Sequence, residues 1–220
     1  LMVISSGFIL AMTLFALQNV FNDSFVDYFD ESVKFRTDSD FINKNLTGIY
    51  NAEFSIGSGE SGGINNPAYL EKLDAFEEWL NEQEEVIHVN SFAEVSRKIN
   101  KSMHGDNESF YKIPTNRQEA AQYLLLYELS LPFGLDLNNQ INVDKSETRL
   151  NVVLQNIGSK KMLEFTKRAE NWLKKNTPNY MHAIGVSPTV MFAKLGFRQA
   201  DSMVKGNIIA PESVLYVFIS

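Results

Sequence analysis

The sequence predicts an α+β domain in which a strand–helix–strand unit occurs twice. Residues 48–56 and 85–90 are rich in β-branched and aromatic residues, and they flank a segment whose apolar residues recur at helical spacing. Residues 148–157 and 180–186 flank a second segment of this kind. Two further helical segments lie between the units. This order predicts a ferredoxin-like split βαβ domain with inserted helices, in which one sheet packs against one helical layer.

The helix of the first unit is predicted to begin at Pro67. Asn66 suits the N-cap because its side chain accepts a hydrogen bond from a free backbone N–H, and proline suits the first helical turn. The apolar residues then fall on one face: Leu70, Leu73, Phe76, Trp79 and Leu80. Such a face predicts packing into a hydrophobic core.

Capping patterns predict the two inserted helices. Ser91 and Glu94 have the spacing of a capping box, in which a hydroxyl and a carboxylate satisfy the first backbone N–H groups of a helix. Thr115 and Gln118 repeat this spacing and predict the start of the second inserted helix. Pro132 predicts its end, because proline cannot continue the helical hydrogen-bond ladder.

The second unit follows the same plan. Ser159 is the predicted N-cap of its helix, and Ser187 with Pro188 predicts the start of the last helix. The apolar face of the second-unit helix consists of Met162, Phe165, Ala169, Trp172 and Leu173. We expect Trp79 and Trp172 to pack in the core because both have the helical period of their neighbours.

The chain begins with an apolar run, residues 1–22, that carries no charged side chain. A spanning helix needs about 20 such residues. A secretory signal peptide is the alternative, but the run has no basic segment before it and no small-residue cleavage site after it. We expect a fragment of a longer protein, with a transmembrane helix over residues 1–21, a connector over 22–46, one folded domain over 47–205 and the start of another transmembrane helix over 206–220.

The charge of the chain indicates its partners and its side of the membrane. The net charge is −7, which argues against a nucleic-acid partner because phosphate binding requires clustered Lys and Arg. Asp23, Asp27, Asp30 and Glu31 all precede the first basic residue, Lys34. Because cytoplasmic flanks of spans carry excess Lys and Arg, we expect this side to be extracytoplasmic. The chain contains no cysteine, which excludes disulfides and thiolate ligands.

The order and spacing of several segments resemble a known family. They are NDSFVDYF, KFRTDSDF, GSGESGGINNPAYLEKLDAFEEWL, VIHVNSFAEVSRKIN and IPTNRQEAAQYLLLYE, followed by the closing strand–helix pair. Together they resemble the second large extracytoplasmic loop of an RND-superfamily exporter, in its MMPL-like, hydrophobe/amphiphile efflux branch. The resemblance covers about residues 14–205.

The resemblance implies a proton-driven pump in a bacterial inner (plasma) membrane, with residues 22–205 as a porter domain on the periplasmic side. Its partners would be the lipid bilayer, a hydrophobic or amphiphilic small-molecule or lipid substrate, and the remaining membrane helices and other porter domain of the same chain. A homo-oligomer is compatible with this assignment. The proton-carrying acidic residues would lie in the membrane bundle, outside this segment. Alternatives are a membrane-tethered sensor or binding ectodomain and a protein-export auxiliary of the same superfamily.

One motif is typical of nucleotide-binding enzymes. Gly57, Gly59 and Gly62 form G-x-G-x-x-G between a strand and a helix. However, the strand carries polar residues such as Glu53, whereas a Rossmann first strand is nearly all apolar. The helix begins only at Pro67, past the third glycine, so its N-terminus would not meet a bound pyrophosphate. We expect a flexible strand-to-helix loop, no cofactor and no enzyme activity.

The three histidines do not predict a metal site. His88 and His182 lie far from each other in sequence and form no ligand-spaced pair with His104. His104 could join Asp106 and Glu108, but a lone histidine with two loop carboxylates is a common surface arrangement and a metal site needs converging ligands. No serine lies in a nucleophile elbow, so no catalytic residue is predicted.

Residues 123–133 are more apolar than one face of a surface helix requires. They predict either a buried inserted helix or the lining of a groove through which an amphiphile passes. The helical period favours core packing. The residues that would line the substrate path are Tyr123, Leu126, Tyr127 and Phe133.

Overall fold

A computed structural model provides the structure of the chain. It describes residues 7, 25–46, 48–132, 134 and 136–219. The predicted span over residues 1–21 therefore lies outside the described residues, apart from Gly7. Within the described part of the chain, no helix has both the length and the apolar character needed to cross a membrane.

The described residues form a mixed α+β fold of six α-helices and three strands. In chain order these are α1 (Lys34–Asn45), β1 (Tyr50–Gly57), α2 (Pro67–Asn81), β2 (Val86–Asn90), α3 (Phe92–Met103), α4 (Arg117–Ser130), β3 (Glu147–Leu154), α5 (Gly158–Asn176) and α6 (Pro188–Ile219). Helix α1 lies within the predicted connector, where the sequence shows no clean period. An ion pair between Arg36 and Asp40, four residues apart, joins its first two turns at 2.7 Å.

The three strands form one antiparallel sheet in the order β1-β3-β2. In its register, Phe54 of β1 lies opposite Leu150 of β3, and Val89 of β2 lies opposite Val152 of β3. The pairing of β2 shifts between Val86 and His88, where one extra residue forms a bulge. The two strand–helix–strand units are thus joined through β3, the first strand of the second unit.

The predicted strand over residues 180–186 is wrong. The chain forms a short 3-10 helix, Asn179–Met181, and only Val186 joins the sheet, through two hydrogen bonds with Glu53 of β1 at 2.8 and 2.9 Å. The residue before it, Gly185, instead donates its backbone N–H to the Glu170 carboxylate of α5 at 3.1 Å. The 3-10 helix takes up the first part of the segment, and only the last residue of the segment, Val186, pairs with β1.

The sheet has one apolar and one polar face, because side chains alternate along each strand. The apolar side chains of β1 and β3 are buried: Ala52, Phe54, Ile56, Leu150, Val152 and Leu154. The predicted faces of α2 and α5 join the same core through Leu70, Leu73, Phe76, Leu80, Met162, Phe165, Ala169 and Leu173. These predicted faces are confirmed, with Trp79 and Trp172 partly buried at the edge of the core.

A buried tyrosine ties α2 to the sheet. The hydroxyl of Tyr69 donates to the Ile56 carbonyl at 2.9 Å and lies 2.6 Å from the Thr148 hydroxyl. Burial raises the pKa of Tyr69 because the ionised phenolate would lose its hydration. The hydroxyl therefore acts as a neutral anchor between β1, β3 and α2.

Three of the predicted helix caps are confirmed. Asn66 Oδ1 accepts from the N–H of Ala68 at 3.0 Å, and Ser91 Oγ accepts from the N–H of Ala93 at 3.0 Å. Ser187 Oγ accepts from the backbone N–H three residues later, also at 3.0 Å. Each side chain satisfies one of the backbone donors that a helix start leaves unpaired.

Two other predicted caps are wrong. The cap of α4 is Asn116 rather than Thr115, and Asn116 Oδ1 accepts from the N–H of Gln118 at 2.8 Å. Asparagine caps at least as well as threonine, so the next residue along takes the role. Helix α5 begins at Gly158, one residue before the predicted cap Ser159, and no side chain caps it.

Candidate functional site

A cavity of about 630 Å³ lies between α3 and α4. Its wall is amphiphilic. Apolar groups come from Val95, Ile99, Met103, Tyr111 and Tyr127, and polar groups from Lys98, Lys101, Ser102, Asp106 and Ser130. Pockets of this size are typical of sites that bury a drug-sized ligand.

The predicted substrate-path residues occupy different places. Tyr127 lines the α3–α4 cavity, whereas Leu126 is 52% exposed on the outer side of α4. Tyr123 is half-buried, and its hydroxyl donates to the Glu119 carboxylate at 2.8 Å, which raises the pKa of Tyr123. Phe133 lies outside the described residues. The structure therefore brings one of the four candidates, Tyr127, into the cavity.

Core packing of α4, favoured by its helical period, is confirmed for Leu124 and for Tyr123 and Tyr127, which pack partly buried against the core, but it is wrong for three leucines. Ala120 and Leu124 are buried. Leu125, Leu126 and Leu129 are exposed, and Leu129 reaches 75% exposure. We call these three leucines the α4 strip. Exposed apolar patches of this kind mark contact with a ligand, a membrane or another protein.

The two lysines of the α3–α4 cavity are paired with carboxylates. Lys98 Nζ lies 2.6 Å from Glu94, and Lys101 forms an ion pair with Glu108. These hydrogen bonds raise the pKa values of both lysines. The rim of the cavity is therefore charged but nearly neutral, which suits an amphiphile with a polar head group.

A second cavity, of about 380 Å³, lies between α1, β1 and the start of α6. It was not predicted from the sequence, because α1 itself was not predicted and the cavity exists only where α1 meets the other two elements. Its apolar wall consists of Val26, Phe35, Ile42, Ile49, Tyr50, Pro188 and Phe192, and its polar groups are Asp38, Ser39 and Thr189.

The glycine-rich loop after β1 is hydrogen-bonded to the segment before β3. The backbone N–H groups of Ser58 and Gly62 donate to the Ser146 and Asp144 carbonyls at 2.7 and 2.9 Å. A phosphate would need such N–H groups to be free. The Glu60 carboxylate pairs with Arg117 at 2.6 Å, and this ion pair ties the loop to α4.

A buried ion cluster, unforeseen in the sequence, joins α2 to α3. Arg97 Nη2 lies 2.7 Å from Glu77 Oε1, and Arg97 also pairs with Asp74. The cap residue Ser91 donates its hydroxyl to the other oxygen of Glu77 at 2.5 Å. The guanidinium further lies 5.5 Å from the ring centre of Tyr111. The ion pairs of Arg97 with Asp74 and Glu77 link α2 to α3, although Arg97 Nε has no hydrogen-bond partner among the described residues.

The histidines have structural contacts. His104 Nδ1 lies 2.8 Å from the Asn100 carbonyl, and its ring stacks on Phe110 with the centroids 3.7 Å apart. His88 Nε2 lies 3.0 Å from the side chain of Asn90. Over the described ranges, no group of three His, Asp or Glu side chains converges in a way that could hold a metal ion.

Neither a protein-family model nor a curated protein sequence matches this chain. The resemblance to RND exporters therefore stays a prediction, and the function is argued from the geometry of the domain.

Proposed function

We propose that this chain is the extracytoplasmic porter domain of a proton-driven membrane exporter of hydrophobic or amphiphilic molecules. The observation that carries the proposal is the α3–α4 cavity, whose apolar wall and polar rim suit an amphiphile. The α4 strip adds exposed apolar surface on the same helix. An amphiphile leaving a bilayer needs such a surface, because its tail would otherwise be exposed to water.

The sheet topology supports a porter domain of ferredoxin-like type. A split βαβ unit leaves room for another strand between its two strands. In this sheet β3 lies between β1 and β2, and Val186 pairs with the free side of β1. We propose that this arrangement is a ferredoxin-like sheet whose fourth strand is reduced to one bridge. The ferredoxin-like topology is common to many functions, so the cavity carries the functional argument.

The proposed mechanism involves binding and movement, without covalent chemistry. Val95, Ile99 and Met103 would cover the apolar part of the substrate, while Lys98 and Lys101 would contact its head group. Proton movement through membrane helices outside this segment would bias two arrangements of the porter domains. The cavity would then open alternately toward each side.

The proposal also covers location and partners. Residues 22–205 would lie on the periplasmic side of a bacterial inner membrane, in contact with lipid, with the other porter domain and with the remaining membrane helices. A homo-oligomer is compatible with this arrangement. The second cavity favours one alternative, a membrane-tethered binding ectodomain, because such a domain needs a ligand pocket but no transport path.

Transport by the whole protein in proteoliposomes tests the proposal. An exporter moves an amphiphilic dye across the bilayer when a pH gradient is imposed, and the movement stops when the gradient is collapsed. A binding ectodomain would bind the dye without moving it. Binding of the dye without gradient-dependent movement would therefore contradict the exporter proposal and favour the ectodomain.

A further inference from the structure

Helix α5 carries a stripe of positive charge in an acidic chain. The helix has six basic and two acidic side chains, whereas the whole chain has a net charge of −7. Exposed lysines recur every seven residues, which places them along one side of the helix: Lys160, Lys167 and Lys174. We call these three lysines the α5 stripe. Glu164 is the exposed acidic residue among them.

The neighbouring helix of the same layer, α2, carries the opposite charge. It has four acidic side chains and one basic side chain. Glu71, Glu78 and the C-cap residue Glu82 are exposed at positions that lie along one side of the helix. We call these three glutamates the α2 stripe. Lys72 is the exposed basic residue beside them.

The two stripes do not neutralise each other within one chain. Among the described residues, the salt bridge that α5 makes is that of Arg168 with Glu85, at 2.8 Å, and it involves neither stripe. The rings of Trp79 and Trp172 stack between the two helices, with centroids 5.8 Å apart. Both stripes are therefore available to a partner that carries charges of opposite sign in a matching order.

A second copy of this chain has that order of charges. The stripes have similar lengths, about 16 Å for the α2 stripe and about 21 Å for the α5 stripe at 1.5 Å rise per residue. A two-fold axis parallel to the helices would place the α2 stripe of each copy on the α5 stripe of the other. An in-plane axis perpendicular to the helices would place like charges together, and their repulsion disfavours that arrangement.

Two aromatic side chains would lie near the centre of such an interface. Trp79 follows Glu78 directly in α2, and Trp172 lies two residues before Lys174 in α5. Both rings are only partly buried against the core. Protein interfaces commonly have aromatic residues at the centre and a polar, charged rim. The outer surface of α2 and α5 has this arrangement.

We propose that the outer surface of α2 and α5 is a self-association interface, which a second copy of this chain covers with its own α2 and α5 in exchanged positions. Exposed ion pairs are individually weak and are screened by salt, so the dimer depends on several pairs at once and dissociates at high ionic strength. The proposal concerns assembly, and it holds whether or not the chain takes part in export.

Two triple variants of the complete chain test the interface. The lysine variant combines Lys160→Glu, Lys167→Glu and Lys174→Glu, and the glutamate variant combines Glu71→Lys, Glu78→Lys and Glu82→Lys. Sedimentation velocity in neutral detergent measures association at about 50 mM and about 0.5 M salt. We expect the wild type to dimerise at low salt and to dissociate at high salt. Each variant alone should be monomeric, because both of its contacts then join like charges.

An equimolar mixture of the two variants is the decisive sample. In a mixed dimer both contacts join opposite charges again, so the mixture should dimerise although neither component does. A control variant combines Lys34→Glu, Lys44→Glu and Lys194→Glu, which changes the net charge as the lysine variant does but at exposed positions outside both stripes. It should dimerise like the wild type. Circular dichroism shows that all variants fold.

Three outcomes would overturn the proposal. A wild type that stays monomeric at low salt has no such interface. Dimers of either triple variant alone would show that other parts of the chain, such as the apolar run of residues 1–22, hold the copies together. A mixture that stays monomeric would show that the stripes do not meet, and binding of the wild type but not of the lysine variant to anionic phospholipid vesicles would then assign the α5 stripe to a bilayer surface.

Discussion

The ring of Trp172 stacks on the ring of Phe76, with centroids 5.1 Å apart and planes inclined by 29°. Trp79 extends the stack, with its centroid 5.8 Å from that of Trp172. Phe76 and Trp79 belong to α2 and Trp172 belongs to α5, so these rings join the helices of the two strand–helix–strand units. Stacked aromatic pairs contribute stability beyond their buried area.

Truncation of this stack should destabilise the domain. Trp172→Ala removes the ring that contacts both α2 aromatics, and we expect a loss of about 3 kcal/mol in the free energy of unfolding. Urea denaturation followed by circular dichroism measures the change. Lys174→Ala, at an exposed position of the same helix, should change it by less than about 0.5 kcal/mol. Equal effects of the two substitutions would show that the stack does not hold the units together.

The contact between Gly185 and α5 should tolerate no side chain. A Cβ at Gly185 would lie 2.8 Å from Thr166 Cγ2 and 3.0 Å from Thr166 Cβ. We expect Gly185→Ala to destabilise the domain by about 1 to 3 kcal/mol, the usual cost of overpacking. Thermal or urea unfolding gives the magnitude.

A second substitution assigns the cause of that loss. Thr166→Ser deletes the Cγ2 methyl and keeps the hydroxyl, which donates to the Leu163 carbonyl at 3.0 Å. Gly185→Ala should therefore cost less in the Thr166→Ser background than in the wild type. If the two effects simply add, the loss does not arise from a clash with the Thr166 Cγ2 methyl.

The sequence specified the parts of the fold that depend on local chemistry. Helical periodicity identified the buried faces of α2 and α5, and Asn66 and Ser91 cap helices as predicted. The fourth strand failed because residues 180–186 have the composition of a strand, but Asn179–Met181 form a 3-10 helix and only Val186 pairs with β1. The pairing of Val186 with Glu53 joins segments whose proximity only the folded chain creates.

The candidate sites were less predictable than the fold. The aromatic composition of α4 pointed to Tyr127, which lines the α3–α4 cavity, but it did not show that Leu126 faces outward. The cavity that Asp38 lines forms only where α1, β1 and α6 pack together. The sequence of α1 has no clean apolar period, so the helix was not predicted. Cavities depend on how elements pack, whereas periodicity reports one element at a time.

The orientation of the domain can be tested by thiol labelling, since the chain contains no cysteine. Val143 is 95% exposed, so Val143→Cys should react with a membrane-impermeant thiol reagent in intact cells. Ser58 is 8% exposed and hydrogen-bonded to the Ser146 carbonyl, so Ser58→Cys should react only after denaturation. Reaction of Val143→Cys only after lysis would place the domain inside the cell and contradict the exporter proposal.

The α4 strip should matter for transport more than for stability. Leu126 is 52% exposed, so Leu126→Asp should shift the unfolding midpoint little while lowering the rate of dye export. Gln122→Asp adds the same charge at another exposed position of α4 and should keep the wild-type rate. Vesicle transport assays with matched expression compare the three proteins. Equal rates for both variants would remove the strip from the substrate path.

The most direct test of the central proposal is dye flux by the whole protein, reconstituted in proteoliposomes under an imposed pH gradient. We predict flux that depends on the gradient, stops when an ionophore collapses it, and is lost in Trp172→Ala in proportion to the unfolded fraction. A folded wild-type protein that binds the dye but produces no gradient-dependent flux would contradict the exporter proposal and favour a membrane-tethered binding ectodomain.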